Sequence, residues 1–302
     1  MDRMTYYFLV FACFAFAMGA CIASFLNVCI WRIPRGENIA FPPSHCPNCN
    51  APIRWYQNIP IVSWCCLRGK CANCHKPISM RYTIVELMGG ICFLLAYLEW
   101  GMPFFLGGGA PAFGLAACRS LWMVPANWFI LAWLMLLAFI DLENSFFPSN
   151  LLYLGMAAGP ILSFLVPELQ GESARLPGFY WSLGGLALGF VSLWIVRKVG
   201  TIVVRKWKHD NELEALGDGD PYFLGAVGGF FGPAPVLFTI ILSSFSGAII
   251  GVILMIRGRA KFGGCTAIPF GPYLALGAAL WVFWGPVILN WYLKLLDVRA
   301  LP

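Results

Sequence analysis

Of the 302 residues, 60% are hydrophobic and 11% charged, against roughly 25% charged in an ordinary soluble domain. This excludes a soluble globular domain and a disordered chain, and it predicts an integral membrane protein with several spans. The 20 Lys+Arg outnumber the 14 Asp+Glu, but no basic helix carries interleaved aromatics, so the excess reads as a topology signal and no nucleic-acid partner is expected.

Taken in chain order, residues 5–30 form an apolar run that ends in Trp31-Arg32-Ile33-Pro34-Arg35. The run is longer than the roughly 7–15 residues of a signal-peptide core and lacks a small-residue cleavage site, so it is expected to stay attached as the first span. Residues 32–81 follow as a polar, cysteine-rich insert, and further apolar runs occupy 83–99, 121–140, 149–166, 179–196, 221–234, 235–256 and 267–293. The expectation is therefore an all-α polytopic membrane protein of about eight transmembrane helices. Its parts are a first helix at 1–31, a small cytoplasmic metal-binding insert at 32–81 between helices 1 and 2, and a membrane domain at 82–302. The short, Gly-rich run at 221–234 is the least regular span, and 101–118, broken by Gly107-Gly108-Gly109 and Pro111, reads as a loop or re-entrant segment. No internal repeat is apparent by inspection.

Orientation follows from the basic residues. If the segment after the first span is cytoplasmic, the inner loops between 32–81, 197–208 and 257–261 collect fifteen of the twenty Lys and Arg and both termini lie outside. The same alternation brings Asp141, at the end of the third span, and Asp220, at the start of the sixth, to one side of the membrane.

The insert is too small to hold a good hydrophobic core alone. It contains Cys46-Pro47-Asn48-Cys49 and Cys71-Ala72-Asn73-Cys74, two Cys-x-x-Cys knuckles that together present four thiolates to one tetrahedral ion, the donor set that selects zinc. A closed four-cysteine site is structural and leaves no open position for catalysis. In a reducing cytoplasm disulfides are not expected. Cys65 and Cys66 lie between the knuckles and read as packing residues. The cysteines scattered through the apolar runs read as small hydrophobes.

Acidic residues near hydrocarbon are costly and point to function. Glu86, Asp141, Glu143, Asp218 and Asp220 are the acids at the inner ends of the spans. Two aspartates held close together share one proton, and such a pair can activate a water against a peptide carbonyl and protonate the leaving nitrogen. Asp141 and Asp220 are the candidates; the competing reading is that each only caps a helix. Transport would need acids near span midpoints, whereas these sit at ends, and a third reading is a scaffold that docks partners through the metal module.

Ser24-Phe25-Leu26-Asn27 with Arg32 and Pro34, the two knuckles, Ser63-Trp64, Leu67-Arg68-Gly69, Arg81-Tyr82, Val85-Glu86-Leu87, Phe139-Ile140-Asp141, Gly217-Asp218-Gly219-Asp220 and Ile268-Pro269-Phe270-Gly271-Pro272 stand in an order and spacing that resembles the prepilin peptidases, the type IV leader peptidases of bacterial pilus and type II secretion systems. The resemblance implies an aspartic endopeptidase of the bacterial inner membrane that cuts the short basic leader of prepilins or pseudopilins on the cytoplasmic side, after a Gly. It assigns catalysis to Asp141 and Asp220, and a structural Zn2+ to Cys46, Cys49, Cys71 and Cys74. It also implies that the new amino terminus is methylated from S-adenosylmethionine, whose binding residues are unknown. Three positions depart from the family pattern: Tyr222 replaces a Lys frequent two residues after the second Asp, Phe147-Pro148-Ser149 replaces Leu-Pro-Asp, and Ala23 replaces a Gly. A basic leader needs acidic company, for which Glu86 and Asp218 are the substrate-binding candidates. Asn27 and Arg32 are expected to anchor the first helix at the lipid headgroups.

Overall fold

The computed structural model describes residues 3–101, 120–208, 214–257 and 269–295. These residues form α1 (Arg3–Arg32), α2 (Val62–Cys66), α3 (Met80–Trp100), α4 (Met123–Asn144), α5 (Ser149–Leu165), α6 (Arg175–Lys208), α7 (Asp220–Phe231), α8 (Pro233–Ile256) and α9 (Gly271–Leu295), joined by short 3-10 turns. The described residues contain no β-strand, only two isolated bridges, so the fold is all-helical as expected. The loop or re-entrant segment read at 101–118 falls almost wholly outside the described residues, as does Ile268.

Among the described residues, five helices (α1, α3, α4, α6 and α8) are long and apolar enough to cross a membrane. The Gly-rich sixth run behaves differently. Helix α7 has 12 residues, about 18 Å at roughly 1.5 Å per residue, against a hydrocarbon core of about 30 Å. It is short because Gly232, at φ 84°, turns the chain and Pro233 starts α8. Ten of its 12 residues are buried, between α5 and α6.

Glycines make this burial possible. Gly159 of α5 lies against Gly229, Gly185 of α6 against Gly228, and Gly189 of α6 against the Leu224 carbonyl, so backbones meet directly. Because α7 stops inside the bundle, its last carbonyls have no water to bond. The hydroxyl of Ser182 donates to Gly229 O at 2.5 Å, and Gln170 Nε2 donates to Gly229 O and Phe230 O, both at 3.2 Å. On the side of α7 facing α4, Trp133 stacks on Phe223 at 5.2 Å and meets Phe230 edge-on at 5.4 Å.

Helices α1 and α3 pair through small residues in the same manner. Gly89 of α3 faces Gly19 and Ala23 of α1. The methyl of Ala23 fits because Gly89 opposite it has no side chain. The inner face of this pair, including Ala23, Leu26, Ile30 and Val85, packs on Met135, Leu136 and Ile140 of α4.

Candidate active site and cysteine cluster

Asp141 lies in the last turn of α4, whose end is set by Ser145 at φ 57°, its N–H bonded to the Asp141 carbonyl at 2.8 Å. The side chain is 5% exposed, and Oδ2 accepts the backbone N–H of Gly271, the first residue of α9, at 2.9 Å. Helix α9 thus turns the positive end of its dipole toward a carboxylate that its own helix would disfavour. Gly271 has to be glycine: a Cβ there would sit 2.6 Å from Asp141 Oδ2 and would run into the Phe147 ring.

Asp220 opens α7, and its side chain is 4% exposed. Its Oδ2 accepts the N–H of Gly217 at 3.0 Å, from the loop just before the helix. A Cβ on Gly219 would meet Phe147 Cδ2 at 2.6 Å. The Phe147 ring therefore lies between Gly219, next to Asp220, and Gly271, bonded to Asp141, and it stacks on Phe223 at 5.3 Å. Asp141 thus accepts the first N–H of α9, a capping bond, whereas Asp220 accepts a loop N–H and α7 has no side-chain cap.

The other acids have protein partners. Arg81 pairs with Glu143, which ties the start of α3 to the end of α4 beside Asp141. Glu86 Oε2 accepts the N–H of Ile61 at 2.7 Å and so pins the insert to α3. Ile61 stands at φ 64°, a conformation costly for a β-branched residue that this bond helps to hold. Asp218 has a side chain 82% exposed and pairs with Arg197 of α6. Tyr222, where the family often has Lys, meets Phe190 at 5.0 Å and Tyr153 at 5.8 Å; its setting is aromatic.

Arg32 departs from expectation. It is 8% exposed, and its guanidinium donates to the carbonyls of Asn38 (3.0 Å), Ile39 (3.3 Å) and Pro42 (2.7 Å). It organises the first turn of the insert and does not reach toward headgroups, because three convergent carbonyls satisfy its fork better than solvent at a helix end. Asn27 is likewise buried and donates to Tyr82 O at 3.1 Å, across to α3.

The four knuckle cysteines converge, all four sulfurs lying within 4.8 Å of one another. Cys46 Sγ is 3.9 Å from Cys74 Sγ, and Cys49 Sγ is 4.0 Å from Cys71 Sγ. A tetrahedral ion at about 2.3 Å from each sulfur requires edges of about 3.8 Å, so the set fits such an ion with little adjustment. The backbone N–H of Ala51 and the Asn73 side chain hold the Cys49 thiol down at about 6, and N–H groups of Cys74 and Asn73 lower Cys71, whereas burial and the neighbouring thiols push Cys74 up to about 11. Cys65 and Cys66 stay outside the cluster, and both are exposed; the packing role read for them is not what the structure has.

The two knuckles are also a repeat that inspection of the sequence missed. His45 to Ile53 and Lys70 to Ile78 share the pattern Cys-x-Asn-Cys-x-x-Pro-Ile. Each closes with matched bonds, Cys46 N to Ala51 O and Cys71 N to Lys76 O, each has an isolated bridge, and Asn50 and His75 both sit at positive φ. Between them Trp64 covers Gly69, at φ 66°, and donates to Ile78 O at 3.2 Å, which accounts for the Ser63-Trp64 and Leu67-Arg68-Gly69 motifs.

Comparison with known proteins was made against this geometry. Residues 17–100 match the family model described as the bacterial peptidase A24 N-terminal domain, and residues 128–252 match that of the type IV leader peptidase family. A protein of Myxococcus xanthus named prepilin leader peptidase/N-methyltransferase is 35% identical over 83% of this chain and 65% of its own length. Proteins with the same name from Stutzerimonas stutzeri and Pseudomonas aeruginosa are each 31% identical, the first over 95% of both chains and the second over 97% of both. No solved structure matches. Two family models covering most of the chain and relatives matched nearly end to end lead to one conclusion: the chain belongs to the type IV leader peptidase family.

Proposed function

We propose that the protein is an aspartic endopeptidase that removes the leader of prepilins or pseudopilins and that Asp141 and Asp220 are its catalytic pair. The observation that supports this reading is that both carboxylates are buried, that each has one oxygen on a backbone N–H, and that a single ring, Phe147, lies between the glycines beside them. Held amides orient the carboxylates and leave their other oxygens for chemistry. Sharing one proton, the pair has one member as base toward a water and the other as acid toward the scissile carbonyl, with the proton passing on to the leaving nitrogen. The glycines at 217, 219 and 271 allow an extended peptide to approach the backbone closely. Glu86 and Asp218 remain the proposed acidic contacts for the basic leader, each already sharing its charge with a protein partner.

The topology that goes with this reading is a multi-pass protein of the bacterial inner membrane. The pair, the knuckles and the inner ends of α1, α3, α4, α6, α7 and α9 then face the cytoplasm, which the loop positive charge supports. The knuckle ion is taken as Zn2+ held by Cys46, Cys49, Cys71 and Cys74. It supplies no reacting group and holds the insert folded.

Methylation of the new amino terminus is proposed from the names of the relatives. The cavity of about 340 Å³ between α1 and the insert is lined by Ser24, Phe25, Arg32, Ser44 and Asn58 among others. It has no carboxylate in its lining for the ribose hydroxyls or the amino group of S-adenosylmethionine, and the Arg32 fork is already bonded to carbonyls. These residues do not fit that donor.

Asp141→Asn and Asp220→Asn test the pair in the purified, detergent-solubilised protein with a prepilin substrate. Each should lower cleavage by about 10³-fold or more, the scale of losing an essential member of such a unit, with thermal unfolding unchanged. Wild-type cleavage by either folded variant would end the assignment. The same reaction with methyl-labelled S-adenosylmethionine reads the second activity.

A further inference from the structure

Arg197 belongs to the inner end of α6 and to the side of the molecule that carries Asp220, yet it has no part in the chemistry above. Its guanidinium makes three contacts with one loop. Nη2 donates to Glu214 Oε2 at 2.9 Å and pairs with Asp218, and Nε donates to the carbonyl of Leu216 at 3.3 Å. The side chain is only 17% exposed, and that of Glu214 is 42% exposed; the hydrogen bond from Arg197 lowers the Glu214 carboxyl pKa.

Further contacts from the same helix support the same loop. Thr201 Oγ1 accepts the N–H of Ala215 at 3.2 Å. Gly200 is bare enough for the Ala215 methyl, which would lie 2.9 Å from a Cβ on it. Residues 197, 200 and 201 share one face of a helix, so α6 offers a cradle for residues 214–218. The next bond along the loop is that of Gly217 N–H to Asp220 Oδ2, at 3.0 Å. Arg197 holds the carbonyl immediately before that N–H, because Leu216 O and Gly217 N belong to one planar peptide unit. Fixing the oxygen fixes the direction of the N–H.

We infer that Arg197 is a positioning residue for the proposed cleavage, aiming the Gly217 amide at the Asp220 carboxylate by clamping the Leu216–Gly217 peptide from α6. The clamp rests on the peptidase reading and adds to it a residue from a helix that contributes no acid. Of its three contacts the carbonyl bond carries the aim, and the bonds to Glu214 and Asp218 bracket it on either side. A lysine has one point of attachment and cannot hold the carbonyl and both carboxylates in a planar fork.

The test is steady-state cleavage of a prepilin by wild type, Arg197→Gln, Arg197→Lys and Lys198→Gln in the full-length protein. Lys198 is the next residue of α6, with its ammonium 5.8 Å from the Trp194 ring, so its loss removes a positive charge from the same turn of the helix without touching the loop carbonyl. Arg197→Gln should lower kcat about tenfold to a hundredfold, the scale of a misplaced catalytic group, with KM within about twofold of wild type. Arg197→Lys should recover part of kcat, and Lys198→Gln should match wild type. If Arg197→Gln does not fold, Glu214→Gln and Thr201→Ala, which loosen the cradle from its other contacts, should each lower kcat several-fold. Wild-type kcat in folded Arg197→Gln, a change confined to KM, or an equal loss in Lys198→Gln would overturn the clamp. Failure of the wild type to cleave would overturn the peptidase reading itself.

Discussion

At the scale of single residues, the glycines of the site matter as much as its acids. Gly271 supplies the amide that Asp141 accepts, and its missing Cβ leaves room for Phe147 and the carboxylate oxygen. Gly271→Ala adds one methyl between these groups and has to displace one of them. Overpacking of this kind costs about 1–3 kcal/mol, but here the displaced group is a proposed catalytic one. Cleavage is expected to fall at least about tenfold, on the scale of a small misplacement, while a thermal melt shifts only modestly; wild-type kcat would show that the Gly271 amide is dispensable. The cysteine cluster makes a pH prediction. Ligands must be thiolates, so acidification competes protons against the ion. The Cys49 thiol, held at about 6, lies below a free thiol, so the stability it contributes is complete only above the free-thiol value and is lost as pH falls through about 6; Cys74, raised to about 11, works in the opposite sense. Release of bound zinc into a chromogenic chelator should therefore rise steeply between about pH 7 and 5; release independent of pH would argue against thiolate ligation.

Among the elements, α7 shows how a helix that cannot span is kept in an apolar environment. Its length leaves the C-terminal carbonyls inside the bundle, where Ser182 and Gln170 satisfy them, and its glycines let α5 and α6 close on it. Gly185→Ala tests this directly, because a Cβ there would run into the Gly228 carbonyl and stand 2.7 Å from Gly232 Cα. Backbone cannot swing aside as a side chain can. The substitution should lower the unfolding temperature of the purified protein by several degrees, in line with the upper part of the overpacking range, and reduce its yield. A melt like wild type would mean that α6 and α7 separate more easily than their packing implies.

At the level of the whole molecule, the insert is fastened to the membrane helices at identifiable points. Arg32 gathers the carbonyls of residues 38, 39 and 42, and Glu86 holds Ile61. Glu86 separates two roles. If its main work is the tether, Glu86→Gln should leave the KM for prepilin nearly unchanged and speed limited proteolysis between residues 54 and 62, since the amide is a weaker acceptor than the carboxylate for a strained Ile61. If it meets the basic leader, KM rises and proteolysis is unaffected.

Much of this architecture is legible in the chain because membrane spans are written in composition. A run of apolar residues flanked by charge has few alternatives in lipid, where every backbone group must be bonded within the segment. The two Cys-x-x-Cys knuckles also state their chemistry: local spacing sets two sulfurs in each, and the fold of the insert brings the two pairs together across 22 and 28 residues. The Asp141 and Asp220 candidates were reached from alternation of spans and family resemblance, but their partners were not. Gly271 N–H is 130 residues from Asp141, and nothing local in either segment announces the bond. Arg32 was misjudged because a cation at a helix end ordinarily seeks headgroups, and its three carbonyl partners exist only once residues 38–42 fold back on it. Composition, periodicity and motif spacing by themselves determined the helical class, the cysteine cluster and which acids to examine. Only the tertiary structure decided that α7 is an enclosed helix, that Phe147 stands between Gly219 and Gly271, and that Arg197 reaches the loop before Asp220, because each depends on where distant backbones meet.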